Sequence, residues 1–161
     1  MSFPGRHRFV SLLLATFILV PGISISGTSC AQIVQQLQLF TFGTIAIRSN
    51  AAIERLNLNL NGTFSSTANI LVVSPPRRAE FLVSGLPAST ALSLSIASIQ
   101  LGDGSASSKK FDVVFVYLAN MSTDSTGSVT ISIGGSLKTS GDGTAYTDNA
   151  YGATASLIVN Y

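Results

Sequence analysis

Residues 151–161 read YGATASLIVNY. Odd positions carry Tyr151, Ala153, Ala155, Leu157, Val159 and Tyr161, while even positions carry Gly152, Thr154, Ser156, Ile158 and Asn160. Successive side chains of a strand point to opposite faces, so this alternation predicts a half-buried strand over 151–161. Leu157, Val159 and Tyr161 are its expected core residues. A chain end frays unless something ties it down. Alternation kept to the last residue therefore marks this strand as a working part of a sheet.

The same period recurs upstream. Leu56, Leu58 and Leu60 alternate with Asn57, Asn59 and Asn61, Leu92, Leu94 and Ile96 with Ser93 and Ser95, and Val129, Ile131 and Ile133 with Ser128, Thr130 and Ser132. Strands are predicted at about 33–47, 54–60, 69–73, 79–84, 91–99, 110–118, 128–133 and 151–161. Phe111, Val113, Phe115 and Tyr117 share one face, but Val114, Val116 and Leu118 are apolar too. That strand reads as central and covered on both sides. Asn61-Gly62, Pro75-Pro76, Gly85-Leu86-Pro87, Gly102-Asp103-Gly104, Gly134-Gly135 and Gly141-Asp142-Gly143 punctuate the runs as turns. Residues 136–150 form the longest polar stretch and read as a mobile surface loop. Short alternating strands at this spacing predict an all-β protein, an immunoglobulin-like β-sandwich of about seven to eight strands.

The other end carries a different signal. Arg6, His7 and Arg8 precede an apolar run, FVSLLLATFILV over 9–20, which Pro21-Gly22 breaks. Small residues then lead to Ser29-Cys30-Ala31. This is the layout of a secretory signal peptide over 1–31, with cleavage between Ala31 and Gln32. A twelve-residue run falls short of the ~20 that span a bilayer, so membrane contact is expected only through the cleaved leader. A lipidated Cys30 is the rival reading, although the Leu expected three residues upstream is missing. Residues 32–161 then form one domain.

From Gln32 onward there is no His, Cys or Trp. That removes Ser-His-Asp and Cys-His nucleophiles and structural zinc sites. Phosphate-binding glycine fingerprints are missing as well. Asp103 has no acidic neighbour of the kind a calcium loop needs, so Gly102-Asp103-Gly104 reads as a turn. The carboxylates are scattered over separate loops and do not pair for glycoside hydrolysis. The expectation is a protein that is not an enzyme and carries no cofactor or metal. Without Arg6 and Arg8, seven cations face seven acids. That neutrality argues against a nucleic-acid partner. Arg77-Arg78 and Lys109-Lys110 read as solvated strand edges.

Residues 32–39, QIVQQLQL, are the one stretch with a binding pattern. Ile33, Leu37 and Leu39 share a face, interrupted by Gln35. Such a segment can add a strand to the open sheet edge of a neighbour. It can equally be the first strand of its own sandwich, and the sequence leaves both open.

Four segments in order carry a family resemblance: Phe42-Gly43-Thr44-Ile45, Glu80-Phe81-Leu82-Val83-Ser84-Gly85, Gly134-Gly135-Ser136-Leu137 and Val159-Asn160-Tyr161. In these the chain resembles the bacterial exported family known as domain of unknown function 4402. It departs from that pattern at Ser136, where Thr is usual, and in the loosened stretch from Gly143 to Gly152. The family is similar to spore-coat-U-like and chaperone–usher pilin sandwiches. The resemblance implies a structural subunit of a surface filament or coat, a fimbrial or pilus subunit that transits the periplasm to the cell surface. Its implied partners are further copies or related subunits, with a periplasmic chaperone and an outer-membrane usher. The alternative class is a monomeric secreted binding module, a carbohydrate binder using loop aromatics such as Tyr146 and Tyr151.

Overall fold

The computed structural model describes residues 8–21, as backbone, and residues 32–106 and 108–161 in full. Cys30 and Ala31 lie outside the described residues, whereas Gln32 lies inside them. The strands in chain order begin with β1 (Arg8–Pro21), β2 (Ile33–Gln38), β3 (Phe40–Ile47), β4 (Arg55–Leu58) and β5 (Phe64–Ser66). They continue as β6 (Ile70–Ser74), β7 (Ala79–Ser84), β8 (Ala91–Ile96) and β9 (Ile99–Leu101). The last four are β10 (Phe111–Val116), β11 (Asn120–Ser122), β12 (Val129–Lys138) and β13 (Tyr151–Asn160).

They build an all-β sandwich of two sheets. One is six-stranded, in the order β11-β8-β13-β1-β3-β6, and the other seven-stranded, running β2-β7-β12-β10-β9 with β4 and β5 attached beside β12. Strand alternation does what the sequence predicts. Leu92, Leu94 and Ile96 of β8 and Tyr151, Ala155, Leu157 and Val159 of β13 are buried. From the other sheet Phe81, Val83, Phe111, Val113, Ile131 and Ile133 join the same core. Phe40 packs edge-on to Phe42 at 5.0 Å and to Phe115 at 5.5 Å, binding the sheets across the middle.

Among the described residues thirteen strands stand where seven or eight were expected: β1 forms from residues expected as a leader, and the domain itself adds strands for two reasons. The expected strand 33–47 breaks at Leu39, because the chain changes sheet there. Before the break it pairs with β7, and after it with β1 and β6. In addition, β5, β9 and β11 have three residues each, too few for a period to register.

Four further expectations need correction. Gly134-Gly135 is no turn but the middle of the ten-residue strand β12. A Cβ at Gly134 would sit 2.3 Å from the Leu58 carbonyl oxygen, and one at Gly135 3.0 Å from the Phe40 ring. The glycines are there for close approach, where β12 passes from pairing with β7 to pairing with β4. Val114, Val116 and Leu118 are exposed, so β10 is covered on one face only. Tyr161 lies past the end of β13 and is 58% exposed. The last registered pair is Asn160 with Ser93, and nothing beyond it holds Tyr161 against the core. The stretch 136–150 is no free loop: it begins inside β12 and is then clamped, as described below.

Candidate functional site

The position of β1 sets the site. It lies between β3 and β13, at the centre of the six-stranded sheet. It runs parallel to β13, with nine consecutive pairs from Leu13 opposite Tyr151 to Pro21 opposite Val159. It runs antiparallel to β3, from Arg8 opposite Ile47 to Ala15 opposite Phe40. Its register against β3 shifts on either side of Leu13, which is opposite Gly43. Gly43 has φ +72°, and a Cβ there would meet the Ser74 carbonyl oxygen at 2.2 Å. This kink explains the glycine of Phe42-Gly43-Thr44-Ile45, whose Phe42 and Ile45 are fully buried on either side of it. Neighbouring strands lie ~4.8 Å apart, so β3 and β13 are separated by about two such spacings and cannot pair with each other. The seam between them is one strand wide.

The expected donor residues sit in the other sheet. Residues 33–38 form the edge strand β2, paired antiparallel with β7 from Ile33 opposite Ser84 to Gln38 opposite Glu80. Within this chain the segment is therefore an edge strand of its own sandwich. Val34 packs against the core, while Ile33, Leu37 and Leu39 are each half exposed or more. A register shift between Gln36 and Gln38 turns Leu37 outward. The two ends of residues 32–161 meet, the Tyr161 hydroxyl donating to Gln32 Oε1 at 3.2 Å. Leu157 and Val159 lie in the core beside the seam.

A second cluster closes the opposite flank. Tyr146 is 3% exposed and stacks on Phe111 at 4.1 Å, with Tyr151 edge-on to both. The Tyr146 hydroxyl accepts from the Ser140 amide at 2.8 Å and donates to the Lys110 carbonyl at 3.2 Å. Burial pushes this phenol above its ordinary pKa. Buried Asn50 donates to Ser140 Oγ at 2.9 Å, Asp142 Oδ1 at 3.1 Å and the Thr144 carbonyl at 2.8 Å. In return its Oδ1 accepts from the Gly141 amide at 2.9 Å. Lys109 pairs with Asp142. That ion pair, together with the Thr144 amide, holds the Asp142 carboxyl well below its usual range. The clamp was hidden because its key residue, Asn50, sits about 90 residues from the loop it fastens. Tyr146 and Tyr151 are core residues, with no ring face open to a sugar.

Arg78 binds Glu80 at 2.5 Å and donates to the Leu60 carbonyl, so one cation of each basic pair is used within the fold. Asp103 accepts from the Ser105 amide at 2.9 Å and from Thr147 Oγ1 at 3.2 Å, which makes it a turn-and-loop tie. Among the described residues no three His, Cys, Asp or Glu side chains gather where a metal ion could bind.

The family described as Domain of unknown function (DUF4402) matches residues 32–161. The chain belongs to this family. The DUF4402 domain thus takes in β2 to β13 and leaves β1 outside it. Curated proteins give no match to the chain. The four segments that carried the resemblance now have physical roles. Phe42 to Ile45 kinks along the seam, Phe81 and Val83 fill the core, Gly134-Gly135 lets β12 pass β4, and Val159 lines the sheet beside β1.

Proposed function

We propose that this DUF4402 protein is a non-enzymatic, exported structural subunit of a bacterial surface filament or coat, joined to its neighbours by strand exchange. One observation carries the reading: the central strand of the six-stranded sheet comes from residues 8–21, outside the DUF4402 domain at 32–161. Those residues are also the apolar run of the expected leader. A domain released by cleavage between Ala31 and Gln32 is one strand short. Its open seam then leaves two rows of backbone groups without strand partners and exposes apolar core beneath them, at roughly 25 cal/mol per Å² of apolar surface. A neighbour's strand removes that cost. The edge strand β2 is the available donor, with Ile33, Leu37 and Leu39 poorly covered in its own sheet. One seam and one donor per subunit give a head-to-tail, open-ended assembly. The reading as a carbohydrate binder loses its proposed aromatic platform, because Tyr146 and Tyr151 are buried.

The test is to export the protein with its own leader, sequence its N-terminus and run it unheated on a denaturing gel. A start at Gln32 and a ladder of multimers are expected, with the ladder collapsing to single subunits when Gln32–Gln38 are deleted. A start at lipidated Cys30, or a single monomeric band from the intact protein, contradicts the proposal.

A further inference from the structure

We infer that Arg8–Pro21 is the resident strand of the seam for as long as it stays attached to the domain, so that its removal converts a closed chain into one open to association. The inference rests on the reading of residues 32–161 as an assembly subunit, and it goes beyond that reading by naming what holds the seam shut beforehand.

The register is the first support. Nine successive pairs join Leu13–Pro21 to Tyr151–Val159 without a break, and residues 8–15 pair along the whole length of β3. The strand therefore satisfies both flanks of the seam at once. Composition is the second. Residues 9–20 are apolar except for Ser11 and Thr16, the composition of a strand in the middle of a sheet rather than at its edge. The third support is the connection. β1 ends with Pro21 opposite Val159, and Gln32 lies against Tyr161, two residues further along. Both ends of the joining segment, residues 22–31, are thus anchored at the same end of the sandwich. Ten residues can reach up to about 33 Å, more than the about 10 Å between packed sheets. The expected cleavage point falls at the end of this connection, where one cut separates the seam strand from the domain.

The experiment uses the full chain, uncleaved and carrying Cys30→Ser. Cysteines replace Ala15 and Ala153, which are opposed in register, or Ala15 and Leu157 as an offset control. Opposed residues of neighbouring strands lie within the ~4.4–6.8 Å Cα separation that a disulfide spans. The opposed pair should give an intrachain disulfide under mild oxidation, and the offset pair at least tenfold less. A specific protease site is then placed within residues 22–31. Uncut protein should remain monomeric, and cut protein should associate unless the disulfide retains the strand. Equal cross-linking of the two pairs, or association of uncut and cut chains alike, overturns the inference. The two proposals fail separately. Correct cross-linking with a cut domain that stays monomeric defeats the subunit reading, whereas no cross-linking with a cut domain that polymerises defeats this one.

Discussion

The two flanks of Tyr151 are closed by different means. On one side the Asn50–Tyr146 clamp is built wholly from residues of the DUF4402 domain, and every polar group named in it has a partner inside that domain. On the other side β13 borders β1, which lies outside the domain. The clamped flank needs nothing further. The seam depends on a segment that lies outside the domain. A sandwich can therefore be complete as a set of packed side chains yet incomplete as a set of paired backbones. In the proposed assembly this flank is where a partner has something to offer, because central strands satisfy groups on both sides whereas loops satisfy their own.

The comparison breaks most severely at Val159, on the seam side. It is buried in β13 opposite Pro21 and Leu94. Val159→Asp buries a charge without a partner, so we expect a loss of more than about 4 kcal/mol and no accumulation of folded protein. A soluble variant with wild-type melting would refute the placement of β13. On the clamp side Asn50→Ala should cost about 1–3 kcal/mol, because the Gly141 amide and the Thr144 carbonyl lose their buried partner. The loss should be local. Proteolysis should open residues 139–150 while assembly through the seam continues, and an equal loss of assembly would show that the two flanks are not independent.

The smallest effect is that of acid on the clamp. Asp142 has a depressed pKa in the folded state, so its contribution is present in full above the ordinary carboxylate range and fades as the pH falls through the lowered value. Tyrosine near-ultraviolet dichroism, followed from pH 6 to pH 2, should report loosening around Tyr146 at the acid end. In Asp142→Asn the part of that change due to the ion pair with Lys109 should be gone at every pH. An identical acid profile in the variant would remove Asp142 from the account.

Much of this was legible in the sequence. The alternation in 92–96, 129–133 and 151–159 gave β8, β12 and β13 because each has one face in the core and one toward solvent. Other features resist a period-based reading. Glycine marks a turn and a close approach alike, so Gly134-Gly135 looked like a turn. Apolar residues on both faces of β10 suggested double cover, although Val114 and Val116 face outward. Tyr161 kept the alternation but had run out of neighbouring strand. The clamp depends on Asn50, a residue with no pattern of its own. The seam was concealed by an overlap of chemistry: an apolar run that suits export also suits a central strand, and only the pairing of Leu13–Pro21 with Tyr151–Val159 reveals the second role.

The central claim, that the DUF4402 domain is one strand short, is tested most directly by amide hydrogen exchange on residues 32–161 kept dilute and on the full chain. In the full chain the amides of β3 and β13 that point toward β1 should exchange as slowly as those of Phe111–Val116. In the shorter chain those same amides should exchange at least a hundredfold faster, while the β13 amides that point toward β8 remain protected. Equal protection of both sets in residues 32–161 would mean that the sheet closes without a further strand and would contradict the account.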